Sequence, residues 1–311
     1  MKTVGTEAVS RPKCLVILST KSSGSSACQR LLAGAATVNL VEKTRHRENE
    51  TLYWVKAASV LGLPQQTVQD SEIPIPPTKA RRDLVALLED NVPGYCAPLD
   101  DERLVFEGWQ TLCHHYAPVF LEKSPHHLRQ RSALDLLVDC MERCVDVDFL
   151  LVGLVRNPMD TLYSMFQRWR TLPEAAQYEW LAAYQNLLDL AERVGDKLVI
   201  VRYEDMVSSS TALAPVYDFM GVDLTAAAAG SLHGRSLAKW RQDGRFGFQL
   251  AAEVRDLAAQ FGYPSTTVEN ESSRWWPAYC RLARASHKLI RPPRRSMTQF
   301  VASSRRFVRS W

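Results

Sequence analysis

The sequence predicts an α/β fold, a doubly wound and mainly parallel β-sheet flanked by helices. Two observations predict it. Four short uncharged apolar runs are each followed by polar residues, and the segments between them carry apolar residues at three- and four-residue steps. Strands that alternate with helices in this way are typical of βαβ units, which build a parallel sheet.

Each element follows from its own pattern. The predicted strands are Cys14–Leu18, Val119–Leu121, Phe149–Val155 and Leu198–Val201. Helical spacing links Leu134, Leu137, Val138, Met141 and Val145, then Leu162, Met165, Phe166 and Trp169, then Trp180, Leu181, Tyr184, Leu187, Leu188 and Ala191. Residues 64–103, rich in proline and charge, are expected to form an inserted irregular region. Ligands of such sheets lie beyond the carboxyl ends of the strands, which here are residues 19–26, 122–127, 156–158 and 202–205.

Composition limits the class of protein. The chain has 311 residues, 46% of them hydrophobic and 23% charged, which suits one large globular domain or two small ones. No apolar run approaches the roughly 20 residues of a membrane-spanning helix. The N-terminus lacks the features of a signal peptide, and the seven cysteines form no CxxC pair. A cytoplasmic protein is therefore expected.

The charge is unevenly distributed. Residues 272–311 contain ten Lys or Arg and no Asp or Glu. Because the formal net charge of the whole chain is +4, residues 1–271 have a net charge of −6. A helical wheel places Trp275, Tyr279, Leu282, Leu289 and Ile290 on one face, and Arg281, Arg284, Lys288 and Arg291 on the other. This pattern is typical of a helix lying on an anionic membrane, or of one packed on the domain with its charges in water. A nucleic-acid partner is not expected, because the charge follows one helix.

The first strand leads into a serine-rich loop, "STKSSGSS". Backbone N–H groups at a helix N-terminus bind anions, and Gly24 would allow a ligand to approach closely. Ser25 and Ser26 add hydroxyl donors, and Lys21 adds a positive charge. The pattern GxxxxGK[ST] is absent, which argues against an ordinary kinase or ATPase. The alternative is a turn that only caps the helix.

Two further strand ends carry similar signals. Arg156 leaves the third predicted strand, Pro158 starts a helix, and Ser164 follows eight residues after the arginine. A guanidinium binds phosphate through two parallel hydrogen bonds, although it pairs equally well with a structural carboxylate. Tyr203, after the last strand, would stack on a base or simply pack in the core.

Together these segments resemble the sulfotransferase family, enzymes that use 3′-phosphoadenosine 5′-phosphosulfate (PAPS). "KSSGSS" resembles its [R/K]-S-G-[ST]-[ST] loop, and "RNPMDTLYS" resembles its R-[DN]-P motif with serine eight residues after the arginine. "RYED", "FLEKSPHHL" and "GRSLAKWRQDGRFGFQLAAEVRDLAAQFGY" resemble segments of the family, the last two those of bacterial and carbohydrate-type members. The resemblance spans about residues 14–263. It implies a P-loop NTPase-like sulfotransferase fold, preceded by an N-terminal extension (1–13) and followed by a basic, partly helical one (264–311).

The resemblance also implies roles for single residues. The 5′-phosphosulfate would be bound by Lys21, Ser22, Ser23, Gly24, Ser25 and Ser26. Arg156 and Ser164 would bind the 3′-phosphate, and Tyr203 would contact the adenine. One departure is visible: aligning Gly24 with the family glycine places Ser22 where the family has its basic residue. Either Lys21 reaches the phosphosulfate from one position earlier, or the positive charge comes from elsewhere.

The acceptor, a hydroxyl or an amine, needs a general base. His126 is favoured, followed by Glu122 and His115, with His114 and His127 also near the same predicted strand. Residues 43–47 and the segment after them would line the acceptor side, or form a solvated helix. No metal is expected, because neither "CHH" at 113–115 nor "HH" at 126–127 has the spacing of a zinc site. Carbohydrates, lipid-linked sugars and small alcohols all remain possible acceptors. Two other functions also remain: a kinase or other transferase using an adenine nucleotide, and a degenerate, non-catalytic binding protein.

Overall fold

Five parallel strands form one sheet in the order β2-β3-β1-β4-β5. The structure is a computed structural model that describes residues 11–46, 48–223 and 237–290. The strands are β1 (Lys13–Leu18), β2 (Val38–Asn39), β3 (Val119–Lys123), β4 (Asp148–Val155) and β5 (Leu198–Arg202). All four predicted strands are confirmed. β2 was not predicted, because two residues are too few to show a pattern.

The central strand β1 is buried on both faces. Cys14 is in register with Phe120 of β3 and with Phe149 of β4. Cys14, Val16 and Leu18 contribute to the apolar cluster on one side of the sheet, whereas Leu15 and Ile17 contribute to the cluster on the other. This alternation explains the unbroken apolar run, because a parallel strand covered by helices on both faces has no polar side.

Helices connect the strands, as the 3.6-residue spacing predicts. They are α1 (Ser25–Leu32), α2 (Tyr53–Val60), α3 (Pro77–Asn91), α4 (Asp101–His115), α5 (Arg131–Arg143), α6 (Pro158–Trp169), α7 (Pro173–Val194), α8 (Tyr203–Ser208), α9 (Ala214–Met220), α10 (Ala252–Gln260), α11 (Ser265–Val268) and α12 (Trp276–Ile290). Short 3-10 turns cover Gly195–Lys197, Ser210–Leu213 and Lys239–Gln242.

The expectation of an irregular region over 64–103 is wrong in part. Helix α3 occupies fifteen of these residues, and α4 begins at Asp101. Pro77 stands at the first position of α3, where its missing N–H costs no hydrogen bond. Ala80, Leu84 and Leu88 of α3 are buried, as is the charged Asp83, whereas Arg82, Glu89 and Asp90 are exposed. A narrow apolar stripe was therefore masked by proline and charge.

Helix α12 packs against the domain. The ring of Trp276 lies 5.1 Å from that of Phe166 and 4.9 Å from that of Phe246. Trp275 and Leu282 are instead 65% and 71% exposed. The single apolar face predicted for this segment is therefore wrong in part: Tyr279 packs with Trp276, whereas Trp275 and Leu282 face outward. The calls on Leu289, Ile290, Lys288 and Arg291 lie outside the described side chains.

Within the part of the chain that the structure describes, no helix is long and apolar enough to cross a membrane.

Candidate active site

The loop between β1 and α1 has an unusual backbone. Ser22 and Gly24 both adopt the left-handed conformation, with φ of 62° and 91°. A Cβ atom on Gly24 would lie 2.2 Å from the ring of Tyr203, so no larger residue fits there. No side chain caps the N-terminus of α1, and its first turn holds no acidic residue. These features leave the positive end of the helix dipole open to an anion.

Three strand ends meet at this loop. Arg156, at the end of β4, donates a hydrogen bond from Nη1 to the carbonyl oxygen of Ser22 at 2.8 Å. Its guanidinium lies 4.8 Å from the centre of the Tyr203 ring. Tyr203, at the end of β5, also covers Gly24. The structure thus brings together Ser22, Gly24, Arg156 and Tyr203, which are far apart in sequence.

The serines of the loop have different surroundings. The Ser23 hydroxyl is 2.6 Å from Thr20 Oγ1 and 3.2 Å from Tyr184 Oη. These hydrogen bonds stabilise the loop against the buried Tyr184. Ser22 Oγ is buried and has no hydrogen-bond partner among the described residues. Ser25 is 5% exposed, and Ser26 Oγ donates to Glu48 Oε2 at 3.2 Å.

Ser164 is half-buried two turns into α6. Its contact with a 3′-phosphate stays a prediction.

A buried lysine that was not singled out as a site residue points at the same loop. Lys123, the last residue of β3, is fully buried, and its ammonium donates to Glu50 Oε1 at 3.0 Å. It also donates to the Glu48 carbonyl at 2.9 Å and to Ser26 Oγ at 3.3 Å. The side chains of adjacent residues in a strand point to opposite faces of the sheet, so one of residues 122 and 123 must face α1. This alternation is the sequence signal that could have identified Lys123.

Lys21 has a different position from the one expected. Its ammonium donates to the carbonyl oxygens of Gln69 at 2.5 Å and Asp70 at 3.3 Å. Both belong to residues 64–71, called here the strap. Glu179 accepts a hydrogen bond from the Gln69 N–H at 2.8 Å, so two charged side chains hold the strap in place.

Glu122 and His127 lie in the core. Glu122 Oε1 accepts hydrogen bonds from Thr51 Oγ1 at 2.7 Å and from Ser124 Oγ at 2.5 Å. His127 Nδ1 lies 3.5 Å from Glu122 Oε2, and His127 Nε2 accepts from the Trp54 N–H at 3.2 Å. Burial raises the pKa of Glu122 and lowers that of His127 to about 3. The structure places neither in a cleft, and the expected role of Glu122 as a base does not follow from its position.

His126 lines a cleft beside Lys21. Its Nδ1 lies 4.0 Å from Glu50 Oε2, and both side chains are 12% exposed. Burial, together with the charge of Lys21, lowers the pKa of His126 to about 3. The imidazole is therefore neutral near pH 7.

His114 and His115 lie at the other edge of the sheet. Helix α4 ends with them just before β3 begins, so they flank the amino ends of the strands. His114 Nε2 is 2.7 Å from Asp146 Oδ2 at the surface. Their place as candidate bases is a wrong expectation, because the loop, Arg156 and Tyr203 all lie at the carboxyl ends.

Two clefts flank the His126–Glu50 pair. The first, called the apolar cleft, is lined by Thr20, Lys21, Val68, Pro125, His126, Arg129, Thr161, Met165, Ala176, Glu179 and Trp180. The second, called the charged cleft, is lined by Lys43, Thr44, Arg45, Glu50, Thr51, Lys56, Asp83, Leu87 and Asp90. Among the described residues no group of three or more His, Cys, Asp or Glu side chains is arranged to hold a metal ion.

Comparison with known proteins identifies the family. Residues 14–226 match the family model described as "Sulfotransferase family". The fold is similar to the sulfotransferase domain of the Synechococcus PCC 7002 olefin synthase, with a TM-score of 0.55 and 20% identity over 82% of this chain and 96% of that one. It is also similar to the sulfotransferase domain from the curacin biosynthetic pathway, with a TM-score of 0.53 and 17% identity over 82% and 99%. No curated protein sequence gives a significant match.

Proposed function

Because the chain belongs to the sulfotransferase family, we propose that it transfers a sulfuryl group from PAPS to a hydroxyl or an amine of an acceptor. One observation carries this proposal: the loop at Ser22–Gly24, Arg156 and Tyr203 come together at the carboxyl edge of the sheet. The N-terminus of α1 and the guanidinium of Arg156 are two anion-binding groups at the same edge of the sheet. Such a pair suits a donor with phosphate groups at both its 5′ and 3′ positions.

The residues present fit such a donor. The open N-terminus of α1 and the buried Ser22 hydroxyl supply donors for the 5′-phosphosulfate. The guanidinium of Arg156, which is 5% exposed, would donate hydrogen bonds to the 3′-phosphate, and Ser164 on the following helix would be a second donor. Tyr203 holds the loop and the arginine in place, which adds a bracing role to its proposed adenine contact.

Sulfuryl transfer requires positive charge near the departing phosphate. Lys21 was expected to supply it, but its ammonium is bound to the strap. Lys123 is directed at Ser26, in the first turn of α1. We therefore assign the charge to Lys123 and propose that Lys21 mainly holds the strap.

His126 is the proposed general base. It lines the cleft that also contains Thr20 and Lys21 of the loop, and Glu50 Oε2 lies 4.0 Å from its Nδ1. The acceptor oxygen or nitrogen forms a bond to sulfur as the bond from sulfur to the 5′-phosphate oxygen breaks. The acceptor proton moves to His126, and adenosine 3′,5′-bisphosphate leaves.

A transfer assay with sulfur-labelled PAPS tests this function. Carbohydrates, lipid-linked sugars and small alcohols are offered as acceptors, together with intermediates of biosynthetic assemblies such as those to which the two structural neighbours belong. We expect label in one acceptor class and none with Arg156→Ala. Transfer of a phosphoryl group from ATP instead would indicate a kinase, and binding of the donor without any transfer would indicate a degenerate family member.

We further propose a cytoplasmic protein that contacts anionic membranes through α12. The exposure of Trp275 and Leu282 beside the exposed Arg281 and Arg284 supports this. Replacing Trp275 and Leu282 together by alanine should weaken binding to phosphatidylserine vesicles, whereas replacing the exposed Leu99 should not. Equal binding by all three proteins would contradict a membrane role.

A further inference from the structure

The carboxylate of Glu48 lies at the N-terminus of α1. Its Oε2 accepts a hydrogen bond from Ser26 Oγ at 3.2 Å, in the first turn of that helix. Its Oε1 pairs with Nη2 of Arg168 in α6. The proposed function places the 5′-phosphosulfate of the donor at the same helix N-terminus. The carboxylate and the donor, which are both negative, would therefore compete for the same group.

A buried lysine holds residue 48 beside the loop. The Lys123 ammonium donates to the Glu48 carbonyl at 2.9 Å and to Ser26 Oγ at 3.3 Å, and Lys123 is fully buried. Burial raises the pKa of the Glu48 carboxyl, but the hydrogen bonds from Arg168 and Ser26 and the charge of Lys123 outweigh burial and leave this pKa below its ordinary value. The Glu48 side chain is therefore a charged carboxylate near pH 7.

The contacts of the Glu48 carboxylate are those that a bound oxyanion requires. Its two oxygens bridge a serine hydroxyl and a guanidinium, and the same two donors bind the oxygens of a phosphoryl or sulfuryl group. An anion that replaced the carboxylate at Ser26 would lie within reach of Arg168. Arg168 follows the "RNPMDTLYS" segment and belongs to none of the motifs that the sequence shares with the family.

The ion pair between Glu48 and Arg168 is weak. The two side chains are 40% and 55% exposed, and ion pairs at such exposure contribute little to stability. Glu48 lies between β2 and α2, outside the sheet, so its side chain can move away from Ser26 without disturbing the core. Repulsion between Glu48 and a phosphosulfate at Ser26 would be larger, because the donor brings more than one negative charge.

We propose that Glu48 and the donor compete for Ser26, and that Arg168 exchanges the Glu48 carboxylate for the 5′-phosphosulfate when the donor binds. This inference rests on the proposed sulfotransferase function and adds two residues to its donor site. Arg168 contributes to donor binding, whereas Glu48 lowers the affinity for donor and product. Return of the carboxylate to Ser26 would promote release of adenosine 3′,5′-bisphosphate after transfer.

Calorimetric titration with two probes tests this exchange. Adenosine 3′,5′-bisphosphate probes the whole donor site, and inorganic pyrophosphate probes the loop alone, because it lacks the nucleoside and the 3′-phosphate. The variants are Glu48→Gln, Arg168→Met and the two combined. Glu102→Gln is the matched control, because Glu102 of α4 forms a similarly exposed ion pair with Arg143 of α5 and its replacement changes the net charge equally.

We expect Glu48→Gln to bind both probes about tenfold more tightly than the wild type, because a like charge is removed. Raising the salt concentration to about 0.5 M should shrink this gain through screening, whereas a purely structural effect would persist. Arg168→Met should weaken binding by about tenfold in the Glu48→Gln background, where Arg168 can no longer act through Glu48. Glu102→Gln should bind both probes as the wild type does.

Three results would overturn the exchange: unchanged or weaker pyrophosphate binding by Glu48→Gln, an equal gain in Glu102→Gln, or no effect of Arg168→Met in the Glu48→Gln background. Circular dichroism checks that each variant is folded. If the wild type binds pyrophosphate but not the bisphosphate, the exchange is still tested at the loop and the proposed use of PAPS is contradicted. If no variant binds either probe, both proposals are contradicted.

Discussion

The two histidines that follow β3 are each paired with a carboxylate, and the two pairs have different surroundings. In the first, Glu122 and His127 are fully buried, 3.5 Å apart, and the other bonds of both groups are made within the core. In the second, Glu50 and His126 are each 12% exposed, 4.0 Å apart, and border the two clefts. The same residue types thus stabilise the fold in one place and border clefts in the other. Whether a pair borders a cleft, more than which residue types it contains, therefore distinguishes a candidate catalytic pair from a structural one.

The largest expected effect separates the two histidines. His126→Asn should lower kcat by about 10²–10⁴, the usual contribution of a general base, with bisphosphate affinity unchanged. His127→Asn should leave kcat per folded molecule close to that of the wild type. Steady-state kinetics with the fraction of folded protein measured by circular dichroism checks both. A loss of kcat in His127→Asn alone would reverse the comparison.

The two lysines provide the next test. Lys123→Met should lower kcat by about 10²–10³, the range seen when one stabilising group of a transition state is removed. Lys21→Met should mainly loosen the strap and raise the acceptor KM, because the bonds to Gln69 and Asp70 are lost. Urea unfolding shows whether Lys123→Met is also destabilised through its orphaned Glu50 partner. If Lys21→Met has the larger effect on kcat, Lys21 supplies the charge at the phosphosulfate.

Glu122 should act on stability. Glu122→Ala leaves the buried hydroxyls of Thr51 and Ser124 without their acceptor, and we expect the free energy of unfolding to fall by about 3 kcal/mol. Glu122→Gln keeps one acceptor oxygen and should cost less. Kinetics on the folded fraction completes the experiment. Loss of transfer by Glu122→Gln at wild-type stability would make this carboxylate the base.

The last expected effect is a pH dependence of stability. His127 has a folded-state pKa of about 3, below the ordinary value of 6.5, so the unfolded chain binds its proton first as the pH falls. Its contribution is complete above pH 6.5 and is lost toward pH 3, at about 1.4 kcal/mol per pH unit. The raised pKa of Glu122 acts in the opposite direction. His127→Asn should therefore flatten urea-derived stability between pH 6 and pH 4; an unchanged slope would contradict a buried neutral histidine.

The convergence of the β1–α1 loop, Arg156 and Tyr203 could be predicted from sequence because each signal is contiguous in the chain. The loop from Lys21 to Ser26, Arg156 with Pro158, and Tyr203 each directly follow a strand that is itself visible as an apolar run. In a parallel sheet the carboxyl ends of neighbouring strands share one edge. Their proximity therefore follows from topology alone.

The surroundings of Lys21 and Lys123 could not be predicted in the same way. Lys21 meets the strap 48 residues away, and Lys123 meets Glu50 73 residues earlier in the chain. No local pattern encodes such pairs. The misplaced His114 and His115 show a related difficulty, since proximity to a strand in sequence does not say which end of the strand a residue flanks.

The central claim is that the carboxyl edge binds a nucleotide carrying a 3′-phosphate. Isothermal titration of the wild type and Arg156→Ala with adenosine 3′,5′-bisphosphate and with ATP tests it directly. We expect the wild type to bind the bisphosphate about 100-fold more tightly than ATP, because the charged pair between Arg156 and the 3′-phosphate forms only with the former. Arg156→Ala should remove this preference. Equal affinities in the wild type, or tighter binding of ATP, would contradict the account.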